Sequence, residues 1–370
     1  MNEYSKKYSA ALIGLGRIGF SLGFDRKREQ PASHTMALKN CRRIRLVAGC
    51  DTDSCRRSEW NKFVKNVAVY SSAVKMLSET KPDIVSVAVN ESSHLECALG
   101  AIQAKPRLVI LEKPVALTVA DGLKIAEASE NYKVPVMINH ERRFAADYKI
   151  ARTCLSSIGE IQKIDASLYS GLRVYSEEDE KSGAYSLLHD GTHLFDIVLF
   201  FLEALTDSEK VEKVSGCETF PCLLKNPEIT GLYVDSSDKK VVRSLSIHYT
   251  TDKCPDVNFF ISGRSKFFGF EIEITGTSGR ICIGNGFFKI YQRRQSKLYS
   301  GFYSLARDKN VKIPGKTGYF ANMVQNAVDF LDGKEPLGST LENGMNVLKL
   351  IEEITLMLKK RNCQIALPER

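Results

Sequence analysis

The sequence predicts an α/β protein in two parts: a doubly wound parallel sheet over residues 1–139, followed by an α+β domain over 140–370 with a large open antiparallel sheet. Three observations predict this. From Ala10 to about Val136 short β-rich runs alternate with helical stretches, the pattern of successive βαβ units. The first run ends in Gly14-Leu15-Gly16-Arg17-Ile18-Gly19, a turn whose glycines suit a pyrophosphate. Beyond Phe144 the texture changes to longer alternating segments with few helices between them, which pair as antiparallel strands.

In order, the strands of the first part are expected at Ser9–Ile13, Arg45–Cys50, Ile84–Val89, Leu108–Leu111 and Val136–Asn139. Each is a short apolar run, as strands buried on both faces read. Helical patterns fall between them at Ser71–Glu79, His94–Ala104 and Val119–Asn131. In the second part the alternating segments are Ile161–Tyr169, Val242–Tyr249, Val257–Ile261, Phe268–Gly276 and Gly279–Ile290, and a helix is expected over Leu187–Phe201. Amphipathic helices close the chain near Tyr319–Leu331 and Leu341–Arg361. A sheet covered by helices on one face leaves the other for a partner subunit, so a homodimer or homotetramer through the second sheet is expected.

Bulk properties narrow the class. A chain of 370 residues exceeds a typical single domain of roughly 100–200 residues, and 43% hydrophobic content supports a sizeable core. No run approaches the roughly 18 apolar residues of a membrane span, and the N-terminus leads into a strand-like run rather than a signal peptide. A cytoplasmic protein with no membrane partner is expected. The ten cysteines form no CxxC pair and no zinc-ribbon or disulfide-framework spacing. The net charge of +8 is dispersed over Arg42-Arg43, Arg56-Arg57, Arg142-Arg143 and Arg293-Arg294 without interleaved aromatics. That distribution favours a small anionic ligand over nucleic acid.

Within the glycine turn, Gly14 allows a tight exit from the strand, Gly16 lets backbone approach phosphate, and Gly19 permits close packing of helix on sheet. The following helix would direct its free N–H groups at the pyrophosphate. An acidic residue is expected about 20 residues further on, and here it is delayed to Asp51. A loop inserted over Ser21–Ser33 near the start of the first crossover accounts for the delay. Asp51 would accept the adenine-ribose hydroxyls and favour NAD, while the neighbouring Arg56 and Arg57 would tolerate NADP.

These features occur in one order with Val87-Ala88-Val89-Asn90, His94 and Glu112-Lys113-Pro114. They continue through Asn139-His140-Glu141-Arg142-Arg143-Phe144 and Gly191-Thr192-His193-Leu194-Phe195-Asp196. The order resembles the glucose-fructose oxidoreductase, inositol dehydrogenase and MocA (Gfo/Idh/MocA) family over nearly the whole chain. The resemblance implies a Rossmann domain joined to an open-sheet domain, and NAD(P)-dependent oxidation of a secondary alcohol on a sugar, inositol or nucleotide-linked sugar. It assigns cofactor contacts to Gly14, Gly16, Arg17, Ile18, Gly19, Asp51, Asn90, His94, Glu112 and Lys113. It also implies that Lys113 lies beside the nicotinamide and bonds the reacting oxygen, and that His193 exchanges the hydroxyl proton. The chemistry agrees, because hydride loss from a carbinol needs a base for its proton and a cation near the developing alkoxide. Lys113 follows the apolar strand Leu108–Leu111, which places its ammonium at the carboxyl edge of the sheet, partly desolvated.

The chain departs from the family's commonest pattern four residues before His193, where His189 replaces an aspartate and Asp190 stands beside it. His189 is therefore a further candidate for proton relay, and Asp190, Arg143 and Tyr169 are candidates for substrate contact, with Tyr175 and Tyr185 as possible companions in a sugar site. Two other readings compete. His189-Asp190-Gly191-Thr192-His193 superficially matches the HExxH of metal hydrolases, but Gly191 weakens the helix and no third ligand is evident, so no metal is assigned. A dinucleotide-binding sensor on the same fold would bind cofactor and turn nothing over, against which stands the presence of both Lys113 and His193.

Overall fold

The computed structural model describes residues 7–169, 191–206, 212–214, 217–219, 223–234, 236, 242–312 and 314–361. The chain divides into two compact units, one of residues 1–145, 212–219 and 316–348, the other of residues 146–211, 220–315 and 349–370.

The first unit is built on β1 (Tyr8–Ile13), β2 (Ile44–Cys50), β3 (Ala68–Tyr70), β4 (Ile84–Val87), β5 (Leu108–Leu111) and β6 (Val136–Ile138). They pair in parallel in the order β3-β2-β1-β4-β5-β6, that of a doubly wound dinucleotide-binding sheet. Alternate side chains enter two cores. Ala11, Ile13, Val85, Val87, Val109 and Leu111 face one side, and Tyr8, Ala10, Ile84, Leu108 and Ile110 the other. Helices α1 (His34–Asn40), α2 (Ser54–Phe63), α3 (Ala73–Thr80), α4 (His94–Gln103) and α5 (Val119–Tyr132) connect the strands. The side chains of Ser33, Asp53, Ser72 and Thr118 cap α1, α2, α3 and α5 at their otherwise orphaned N–H groups. The later helix Tyr319–Leu331 lays Phe320, Met323, Val324, Ala327 and Val328 against the second core.

The first crossover is interrupted. After Gly16 the chain makes a short turn, with Phe20 N–H bonded to the Gly16 carbonyl at 2.8 Å, and then a 3-10 segment Ser21–Phe24. Helical bonding resumes at α1, where His34 N–H donates to the Ile18 carbonyl at 3.1 Å and Thr35 N–H to that of Gly19 at 2.9 Å. Thr35 and Gly19 are sixteen positions apart, where an unbroken helix spans four. The segment between is thus looped out of one helical path. Glu29 secures it by accepting Thr317 N–H, Thr317 Oγ1 and Gly318 N–H at 2.6–2.8 Å.

The second unit holds β7 (Ile161–Tyr169), with β8 (Glu212–Val214) and β9 (Cys217–Thr219) forming a separate hairpin counted with the first unit. Its remaining strands are β10 (Lys225–Val234), β11 (Val242–Thr250), β12 (Val257–Ser262), β13 (Gly269–Gly276), β14 (Gly279–Gly284), β15 (Phe287–Gln295) and β16 (Tyr303–Arg307). The eight-stranded order is β10-β11-β12-β7-β13-β14-β15-β16. All neighbours are antiparallel except β12 and β7, which run parallel from Val257↔Ile164 to Ser262↔Tyr169. Burial alternates along β7, β11 and β14, so one face is covered and the other half-exposed. Two helices of this unit are α6 (Ala146–Thr153) and α7 (Gly191–Glu203). Among the described residues no helix is long and apolar enough to cross a membrane.

Candidate active site

The sheet order fixes where the polar residues of the first unit fall. Moving across β2, β1, β4, β5 and β6, the carboxyl ends carry Asp51, Gly14, Asn90, Glu112-Lys113 and Asn139. The reversal of strand order lies between β1 and β4, and ligands of open α/β sheets bind at that carboxyl edge.

The three glycines do different work. Gly14 has φ of +94°, and a Cβ there would stand 2.3 Å from the Ala88 carbonyl oxygen. A Cβ on Gly19 would lie 2.1 Å from the Gly14 carbonyl oxygen. Both positions are closed by backbone. At Gly16 the nearest atoms to such a Cβ, its chain neighbours aside, are Arg56 Nη1 at 3.5 Å and Cζ at 3.9 Å, and among the described residues nothing else lies within 4 Å. That opening fits a phosphate held against backbone N–H groups.

Asp51 is buried, and its carboxylate ties the turn to β2: Leu15 N–H donates to Oδ2 at 2.8 Å and Asp53 N–H to Oδ1 at 2.9 Å. A carboxylate offers about four acceptor sites, so two remain for ribose hydroxyls. The following arginines divide. Arg57 Nη1 donates to the carbonyls of Asp51 and Thr52, both at 2.8 Å, whereas Arg56 is half-exposed beside the turn with Nη1 at 3.8 Å from Asp51 Oδ2. Arg17 is exposed and Ile18 half-buried at the same turn.

At the end of β5, Glu112 is buried and Lys113 half-buried, and the Lys113–Pro114 bond is cis. Glu112 Oε1 lies 2.6 Å from His34 Nε2 and accepts from Asn139 Nδ2. Burial alone would raise the Glu112 carboxyl pKa, but the His34 contact, the Asn139 amide and the Lys113 charge outweigh it and hold it below the usual range. Ser86 Oγ lies 2.8 Å from His34 Nδ1. His94 is fully buried, with Nδ1 2.6 Å from the Pro114 carbonyl and Nε2 3.2 Å from that of Val89. Its imidazole thus braces the segments after β4 and β5, and burial depresses its pKa. Asn90 sits at the N-cap of the short turn Glu91–Ser93.

Arg142 and Arg143 are both buried in the 3-10 turn Glu141–Phe144, and Arg142 pairs with Glu141 at 3.5 Å. In the second unit, every residue of α7 is buried except His193, which is partly exposed. The helix is largely apolar, with Thr192, Asp196 and Glu203 buried among its polar residues, and His193 is the position at which it reaches the surface. Tyr169, at the end of β7, packs against Phe260 and Phe267 at ring-centroid distances of 5.6 and 5.2 Å. His189, Asp190, Tyr175 and Tyr185 lie outside the described residues. Among the described residues no group of three His, Cys, Asp or Glu side chains is arranged to hold a metal ion.

Sequence reasoning passed over His34 and Ser86. Ser86 sits inside an apolar strand, and His34 is separated from its glycine turn by the inserted loop. Pro31-Ala32-Ser33 before it, reading as a helix start, was the available signal.

Residues 8–140 match the model of an oxidoreductase family with an NAD-binding Rossmann fold, GFO_IDH_MocA. The chain is 28% identical over 205 residues to D-apiose dehydrogenase of Paraburkholderia graminis, covering 54% of this chain and 51% of that protein. It is 24% identical over 186 residues to inositol 2-dehydrogenase of Salmonella typhimurium, covering 49% and 52%. The chain thus spans about half the length of the curated relatives it matches. Among solved structures, an Agrobacterium radiobacter oxidoreductase in complex with NAD+, L-tartaric acid and magnesium superposes with a TM-score of 0.69 at 19% identity, covering 94% of this chain and 95% of that one. The WlbA dehydrogenase of Bordetella pertussis, in complex with NADH and UDP-GlcNAcA, gives 0.68 at 15% identity, covering 96% and 97%. At these identities the two structures share the fold.

Proposed function

We propose, from the premise that residues 8–140 belong to the Gfo/Idh/MocA family of NAD-binding oxidoreductases, that this chain interconverts a secondary alcohol and its ketone on a sugar, inositol or nucleotide-linked sugar. The observation that carries the reading is the alignment of Asp51, the open space at Gly16 and Lys113 along one sheet edge. Bound NAD supplies the hydride acceptor. Gly16 and the neighbouring N–H groups bind the pyrophosphate, and Asp51 takes the adenine-ribose hydroxyls. Arg56, beside the turn rather than committed to backbone like Arg57, lets NADP serve as well. Lys113 stabilises the developing alkoxide, and His193, with His189 as a second relay candidate, accepts the hydroxyl proton. Arg143, Tyr169 and Asp190 are the proposed substrate contacts. The half-exposed face of the second sheet supports assembly as a homodimer or homotetramer.

The test is a screen of polyols, sugars and nucleotide sugars by absorbance of reduced nicotinamide, followed by Lys113→Ala. The substitution is expected to cut turnover by about 10²-fold or more while NADH affinity stays within about threefold. Unchanged turnover would remove Lys113 from the chemistry, and tight NADH binding without turnover of any substrate would favour a sensor.

A further inference from the structure

Glu112 presents a question of charge. A buried carboxylate is costly unless paired, and a glutamine would accept the same bonds from His34 and Asn139 through its amide oxygen. The carboxylate is nonetheless embedded at the start of the segment that carries Lys113, and its principal partner is His34, itself fully buried. His34 reaches in two directions. Its backbone N–H donates to the Ile18 carbonyl at 3.1 Å, and the next residue binds Gly19 twice, through Thr35 N–H at 2.9 Å and Oγ1 at 2.7 Å. Its imidazole meets Glu112 on one nitrogen and Ser86 on the other. A proton arrangement that satisfies these partners has the Ser86 hydroxyl donating to Nδ1 and Nε2–H donating to Glu112; this tautomer is assigned from the contacts. Phe320 packs against the His34 ring in a T-shaped arrangement, its ring centroid 5.3 Å from that of the imidazole.

We infer that His34 is a positioning residue that couples occupancy of the glycine turn to the placement of Lys113, through a continuous path from the Ile18 carbonyl to the Glu112 carboxylate. Dinucleotide bound at Gly14–Gly19 fixes the start of α1, the imidazole transmits that restraint to Glu112, and Lys113 is held ready when the cofactor is present. The inference rests on the proposed oxidoreductase reading for its catalytic consequence, but the coupling itself has a readout that needs no turnover.

That readout is hydrogen–deuterium exchange of the peptide spanning Leu111–Val115, with and without saturating NADH. In the wild-type protein NADH is expected to slow exchange there by about fivefold or more. In His34→Ala, at NADH concentrations raised to full saturation, slowing should fall below about twofold, and His34→Gln, which keeps a donor toward Glu112, should restore most of it. Ser86→Ala, a smaller change on the far nitrogen, keeps the test open if His34→Ala does not fold, and should lose part of the effect. Where a substrate is found, His34→Ala should lower kcat by about tenfold or more with little change in KM. Wild-type slowing in saturated His34→Ala, or in saturated Ser86→Ala when the former cannot be made, would overturn the coupling. Failure to find any substrate would count against the proposed function and leave the exchange result to decide this inference.

Discussion

Alanine at Gly14 and at Gly16, two positions apart, is expected to produce opposite defects. At Gly14 the residue has φ of +94°, and the added Cβ would stand 2.3 Å from the Ala88 carbonyl oxygen, 2.6 Å from its carbon and 2.9 Å from Val89 N. All three are backbone atoms that no rotamer change can move. Relief requires the end of β4 to shift by about 1 Å, which strains the 2.8 Å bond from Ala88 N–H to the Ile13 carbonyl. Strain of about 1–3 kcal/mol and a weakened buried bond of about 1 kcal/mol give a loss of about 2–4 kcal/mol. That lowers Tm by about 5–15 °C for a domain of this size. At Gly16 the nearest atom is Arg56 Nη1 at 3.5 Å, so folding should change by no more than about 0.5 kcal/mol. The methyl would instead fill the space through which phosphate approaches, raising the NADH Kd by about 10–100-fold, or about 1.4–2.8 kcal/mol. Thermal unfolding and calorimetric titration with NADH separate the two. Wild-type NADH affinity in Gly16→Ala would refute the assignment of the turn to the pyrophosphate, and an unchanged Tm in Gly14→Ala would refute the steric argument.

His94 and Asp332 give two further outcomes. The burial that depresses the His94 pKa means the unfolded chain binds its proton more readily, so the stability it contributes is full above about pH 6.5 and falls as pH drops toward the folded-state value. His94→Gln should flatten that part of the Tm-versus-pH curve just below about pH 6.5, and an identical slope in the variant would contradict it. Asp332 receives two bonds from Arg43 at 3.0 and 3.1 Å, one from Tyr8 Oη at 2.7 Å and one from Lys334 at 3.1 Å. The Arg43 and Tyr8 bonds hold its carboxyl well below the usual range, so its contribution is complete above about pH 4 and lost as pH falls further. Asp332→Asn is therefore expected to cost about 1–3 kcal/mol at pH 7, measured by urea unfolding, and less at pH 3.

The first sheet was legible because its central strands β1, β4 and β5 are buried almost throughout, and β1 and β5 run into Gly14 and Glu112; β4 and β5 are continuous apolar runs apart from Ser86. Five strands left no such trace, β8 and β9 among them at three residues each, and the single segment expected over Gly279–Ile290 divides into β14 and β15. β3 is three residues long at a half-exposed edge, and β16 is exposed throughout. β10 pairs through three register shifts that break its alternation. Alternation also fixes which side chains are covered without fixing strand direction, so the parallel partnership of β7 with β12 was not readable. At the candidate site the glycine turn and Asp51 were expected from their spacing, and Lys113 from its place after the apolar strand Leu108–Leu111 and from the family resemblance. What supports them did not, because the contacts of Glu112 with His34 and Asn139 join residues 78 and 27 positions away, and no local pattern encodes such a meeting.

The looped-out stretch between Gly19 and His34 has a consequence for how this chain can change over generations. Because the helical bonding of Ile18 and Gly19 is taken up again by His34 and Thr35, the excursion leaves and returns at matching points, much as a cassette is seated between two fixed connectors. Its exposed tip, Arg26–Arg28, has room to vary in length and lettering, provided Phe20 keeps its place in the core beside Leu12, Leu15 and Trp60, Ser33 still caps α1, and a carboxylate such as that of Glu29 still latches onto Thr317 and Gly318. New recognition could be written there while the glycine turn beside it keeps its inherited form.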